Sequence, residues 1–188
     1  ASSSVQDMYF SDYAVTNETV GIPSEAVKTL AENDAVESVS TTRLSVFMPG
    51  AGDILPFETD LSVQSHETLQ LVNVDEAQLQ IYAPNLSAQD KQALKDGTGC
   101  LVKNPIAFSY GDTTVQQTDL TVGDTIQLGD RTLPVLGLID TAITINNDGF
   151  TNGVQLIVND EIYCSLLGND SYSEVYPTLQ DNADTDTF

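Results

Sequence analysis

His66 is the only histidine of the 188-residue chain and stands in Val63-Gln64-Ser65-His66-Glu67-Thr68. A serine or cysteine hydrolase would need it beside a nucleophile and an orienting acid. No nucleophile elbow accompanies it, so it reads as a surface-loop histidine. Cys100 and Cys164 are the two cysteines, 64 positions apart, a spacing that fits no zinc or redox motif. Both stand in apolar surroundings (Gly99-Cys100-Leu101-Val102 and Ile162-Tyr163-Cys164-Ser165), where a buried thiol packs as a small hydrophobe. A Cys100–Cys164 disulfide is the alternative in an oxidising compartment. Paired carboxylates could hydrolyse glycosides, but with 28 Asp and Glu and no Trp as a sugar platform no pair is singled out. Asn146-Asn147-Asp148-Gly149 starts like a calcium loop. The twelfth position from Asn146 is Ile157 rather than a bidentate Glu, so a turn is expected. No phosphate-cradling glycine loop occurs. Tyr172, Glu174 and Tyr176 alternate along one face of an expected strand, a patch that either packs or meets a partner. The expectation is a non-enzyme with no catalytic residue, metal ligand or cofactor.

Six Lys and Arg against 28 acids leave a net charge of −22. Such a surface repels phosphate backbones, which excludes nucleic acid as a partner. It also disfavours docking on an anionic membrane, and its simplest consequence is solubility. Cationic peptides and divalent metals are the ligands this charge would attract. The hydrophobic fraction of 40% suffices for a core. No run nears the roughly 20 apolar residues of a membrane span.

Period-two alternation predicts strands over 7–16, 36–47, 69–74, 100–102, 125–128, 132–138, 142–145, 154–158 and 173–179. Helices are expected from Gly21-Ile22-Pro23-Ser24 through Ala31, over 77–82, from Ser87 to a stop at Gly97, and over 162–167. The last begins at Asn159 or Asp160 and ends at Gly168. Gly129-Asp130-Arg131 joins one hairpin and Asn146–Gly149 a second. Ser109–Thr113 reads as a polar loop, and residues 181–188 as an acidic end. The class is α+β, with a β-rich portion from about Gly97 to Gly168.

Collinear segments carry a resemblance. Leu120–Ile139 (LTVGDTIQLGDRTLPVLGLI) has the glycine-aspartate start, the alternating Ile126 and Leu128, and the Val135-x-Gly137 return of a particular hairpin. It resembles the extracytoplasmic core domain of MacB/FtsX-like ABC transporter permeases, in the Gram-positive variant. Gly97–Asn104 resembles the family strand before that hairpin, and Leu71–Leu79 its strand-to-helix step. Leu156–Gly168 and Tyr172–Leu179 resemble the elements that follow. The likeness spans about Gln70 to Leu179, and residues 1–60 fit the strand–helix–strand start.

The resemblance implies a Porter-like strand-helix-strand layer from residues 1–85 plus 169–188. A β-rich, Sabre-like subdomain would be inserted over 86–168. It implies an ectodomain on the extracellular face of the plasma membrane, cut away from the transmembrane helices of its parent permease. A cytoplasmic ABC ATPase would be reached through that permease, with a second permease copy or an extracellular protein or peptide as further partners. ATP hydrolysis would then be coupled mechanically to export, to peptide or lipoprotein handling, or to control of wall enzymes. The alternative is a free cell-surface or secreted binding module for a cationic peptide or divalent metal.

Overall fold

The structure, a computed structural model, describes residues 15–16, 21–145 and 153–179. Three of its helices begin or end where side chains replace the missing intrahelical partners. Asp75 starts α2 (Glu76–Tyr82), its carboxylate accepting from the Gln78 amide at 2.9 Å. The same carboxylate accepts from the Ser40 hydroxyl and the Thr41 amide, tying the helix start to the neighbouring strand. Ser87 caps α3 (Ala88–Asp96) and Asn159 caps α4 (Asp160–Leu167). Gly97 and Gly168, both at positive φ, end them, a backbone conformation that costs other residues. The first helix, α1 (Ser24–Ala31), follows Pro23 and buries none of its residues.

Eight strands form one sheet. In chain order they are β1 (Val15–Thr16), β2 (Val36–Phe47), β3 (Thr68–Val74), β4 (Cys100–Lys103), β7 (Thr125–Leu128), β8 (Arg131–Leu138), β9 (Gly153–Ile157) and β10 (Glu174–Leu179). β5 (Ser109–Tyr110) and β6 (Thr113–Thr114) make a separate two-stranded hairpin. The spatial order is β1-β10-β2-β3-β9-β4-β8-β7. The four strands from outside 86–168 therefore lie side by side, as do the four from within it. They meet at a parallel seam where Thr68 to Val72 pair with Gly153 to Ile157.

Both faces of the sheet are covered, so the central strands read as nearly continuous apolar runs. Leu69, Leu71, Val102, Leu156 and Ile162 belong to one core, beneath α4. Val72, Leu79, Leu94, Leu101 and Ile157 belong to the other, beneath α2 and α3. Each such Leu or Ile, buried from water, contributes about 1.5–3 kcal/mol. Both cores draw on residues from either side of position 85, so the two halves share one sheet and both of its packed faces.

The α+β class holds, and the expected hairpin forms with Leu128 opposite Arg131 across a two-residue turn. The expected strand over 142–145 does not form. Asp140 captures the segment instead, its carboxylate taking the Ala142 amide and its carbonyl the Ile143 amide, so 141–142 turn. Of the strand expected over 7–16, only Val15–Thr16 is described, and the Asn146–Gly149 turn lies outside the described residues. The loop expected over 109–113 contains the β5–β6 hairpin.

Candidate functional site

Residues 54–63 belong to no strand, yet their exposure alternates strictly: 55, 57, 59, 61 and 63 are half-buried, while the even positions face solvent. Leu55, Phe57, Leu61 and Val63 pack on the core beneath α4. Phe57 meets Phe47 edge-to-face, with ring centres 5.9 Å apart. This extended strap runs along β7, the outer strand of the sheet. The Gly129 amide donates to the Glu58 carbonyl at 2.7 Å, and the Gln127 amide to the Asp60 carboxylate at 2.8 Å. Outward-facing amides that would otherwise recruit a foreign strand are thereby occupied.

Between the strap, the β7–β8 turn and α4 lies an open groove of about 690 Å³. Leu55, Phe57, Leu128, Ile162 and Leu166 supply its apolar lining, with Glu58, Asp130 and Arg131 among the polar residues. Arg131 donates to Glu161 at 2.9 Å, and among the described residues no ion pair involves Glu58 or Asp130. The arrangement suits side-chain recognition.

His66 is exposed, and its ring packs edge-to-face on Phe108. The neighbouring Glu67 is 1% exposed and its carboxylate accepts from both the amide and the hydroxyl of Thr118, at 2.8 and 2.6 Å. The acid adjoining the histidine thus anchors the 115–120 loop to the start of β3.

Arg43 is buried on β2, on the α4 side of the sheet. Its guanidinium donates to the Asn73 side chain at 2.7 Å, to the Asp170 carbonyl twice, and to the exposed Asp160 carboxylate at 3.3 Å. Tyr172 lies against that guanidinium and pairs with Ile22 through the backbone. The three residues expected to alternate on one strand face are thus divided. Tyr172 precedes β10 and is half-buried, and Tyr176 is only 5% exposed. Packing is the role the structure assigns Tyr176, since β10 is an interior strand, and Tyr172 serves as a platform for Arg43. Glu174 begins β10 opposite Thr42.

Cys100 and Cys164 are both free thiols, not a disulfide, and both pack in the core beneath α4. Burial pushes the Cys100 thiol up to about 12. Burial also raises Cys164, opposed by the charge of nearby Arg43. Burial raises Tyr163 likewise, although a 2.7 Å hydrogen bond with Ser45 acts in the opposite direction. Among the described residues, no group of three or more His, Cys, Asp or Glu is placed to hold a metal ion. No described helix is long and apolar enough to cross a membrane.

The groove was not singled out from the sequence. Its signal was the period-two spacing of Leu55, Phe57, Leu61 and Val63, interrupted by Pro56 and by charged neighbours.

No protein-family model matches the chain, and no curated protein does. Among solved structures, the chain is similar to the extracellular domain of the noncanonical ABC-type transporter YknZ from Gram-positive bacteria. The TM-score is 0.49 at 11% identity, covering 86% of this chain and 75% of that one. It is also similar to the periplasmic region of MacB from Actinobacillus actinomycetemcomitans. There the TM-score is 0.48 at 10% identity, covering 92% of this chain and 70% of that one.

Proposed function

We propose that the chain is the non-catalytic, extracytoplasmic domain of an ABC transporter permease, carrying motion and partner contacts outside the membrane while a cytoplasmic ATPase supplies the energy. The observation that carries this reading is the partition of the sheet. The segment expected from the sequence resemblance to be an insertion, 86–168, enters the sheet as one contiguous block, β9-β4-β8-β7. The described residues on either side of it supply the other block, β1-β10-β2-β3. On this reading the two blocks are the Porter-like and Sabre-like parts, joined at the β3–β9 seam rather than by a linker.

A second relationship supports it. Val15 of β1 pairs antiparallel with Val175 of β10, so the chain enters and leaves the sheet at the same end. That geometry is compatible with a domain inserted between two membrane spans. As a free cell-surface module, the alternative, the same body would use its acid-rimmed groove for a cationic peptide.

Affinity capture from detergent-solubilised membranes, through a tag at the exposed Gly111-Asp112 turn, tests the permease reading. Co-elution of a vanadate-sensitive ATPase in fixed proportion supports it. Recovery of the chain from the soluble fraction, without an ATPase, overturns it.

A further inference from the structure

The groove beside α4 has a mixed lining, apolar at its floor and sides and polar at its rim. Leu55, Phe57 and Leu166 are only half-buried around it, while Leu128 and Ile162 beneath are buried. Its volume of about 690 Å³ is large enough for a few side chains. Being open to solvent, it would leave a small molecule partly wet, whereas well-bound small ligands are mostly enclosed. Strand addition is blocked too, because the strap's Glu58 carbonyl and Asp60 carboxylate already hold the amides of Gly129 and Gln127. What remains is recognition by side chains. The rim fixes their charge: Arg131 is paired with Glu161, while among the described residues Glu58 and Asp130 form no ion pair.

We propose that this groove docks a short basic segment of a partner protein, seating an aliphatic or aromatic side chain between Phe57 and Leu166 and placing lysine or arginine against Glu58 and Asp130. The proposal rests on the groove alone and stands whether or not the chain belongs to a transporter. Apolar burial supplies affinity, and the opposed charges supply orientation and rate of encounter. A chain of net charge −22 attracts any cation, so the test must separate the groove from that background.

The probe is a fluorescent eight-residue peptide alternating lysine with leucine, titrated into the full chain near physiological salt, where long-range attraction is screened. A lysine–serine peptide of equal charge is the control. The expected result is saturable one-site binding, weakened at least about tenfold when leucine becomes serine. Ser165→Trp, which fills the groove from an exposed position, and Asp130→Lys, which reverses the rim, each weaken binding by about tenfold. Asp34→Lys, an equal change of charge beyond α1, leaves it unaltered. Equal binding of both peptides, or equal effects of Asp34→Lys and Asp130→Lys, overturns the proposal in favour of general charge attraction. Binding untouched by Ser165→Trp overturns it as well. So does a concentration-dependent dimer of the free chain that Ser165→Trp abolishes, which would make a second copy the occupant.

Discussion

The guanidinium carbon of Arg43 lies 4.0 Å from the ring centre of Tyr172. This contact joins the second strand of the chain to the segment that leads into the last. Arg43 also holds Asn73 and the Asp170 carbonyl, so a single buried cation ties β2, β3 and the loop after α4 together. Removing it strands those acceptors inside the protein. Arg43→Met is therefore expected to lower unfolding free energy by about 3 kcal/mol in urea titration. Arg43→Lys falls by about 2 kcal/mol, since an ammonium cannot reproduce the planar fork or the stacking. Asp160→Ala, which removes an exposed partner, costs under about 1 kcal/mol. A larger loss for Asp160→Ala than for Arg43→Lys would contradict this ordering.

Gly153 sits at the seam between the two halves of the sheet, against Thr68. A methyl group there would overlap the Thr68 side chain and approach its carbonyl oxygen at 2.6 Å. Gly153→Ala is expected to destabilise by at least about 2 kcal/mol. Gly111→Ala meets nothing within 4 Å and pays only for a φ of +61°, about 1 kcal/mol. Thermal unfolding of the two variants in parallel checks whether the seam is as tight as described.

Asn159 works at two ends at once. Its side-chain Oδ1 accepts from the Ile162 backbone N–H at 2.9 Å, capping α4, and its side-chain Nδ2 donates to the Lys95 carbonyl at 3.0 Å near the end of α3. Asn159→Ala should cost about 1–2 kcal/mol. Asn159→Asp retains the cap but loses the second bond, and should fall between wild type and alanine in denaturant titration.

The buried Cys100 thiol predicts alkaline sensitivity. Its folded pKa of about 12 lies above the ordinary 9.0, so the unfolded chain ionises first as pH rises. Below pH 9 its contribution is fully present. Between 9 and 12 stability falls, by as much as about 1.4 kcal/mol per pH unit from this one group. Cys100→Ala should flatten that part of the pH–stability curve. An unchanged alkaline limb would contradict the assignment.

Local features were legible in the sequence where one residue decides the backbone. Ser87, Asn159, Gly97 and Gly168 marked helix ends that the structure places within a residue or two. Gly129-Asp130 marked the hairpin. The strand order was not written locally. That β9 inserts between β3 and β4 depends on pairing residues some 85 positions apart, such as Gln70 with Gln155. The failed strand at 142–145 shows the opposite error: its apolar alternation was real, but the Asp140 side chain took the Ala142 amide and its carbonyl the Ile143 amide, which a ladder would need. Arg43 gave no signal at all, because burial of a lone arginine depends on partners from three distant segments.

The claim that this body works outside the membrane is tested most directly by labelling. Ile54 is 92% exposed at the head of the strap, and Ile54→Cys in a Cys164→Ser background offers one accessible thiol, Cys100 being buried. Intact protoplasts of cells making the protein are treated with a membrane-impermeant maleimide, before and after lysis. The account predicts equal modification in both samples. Modification that appears only after lysis would place the domain on the cytoplasmic side and contradict it.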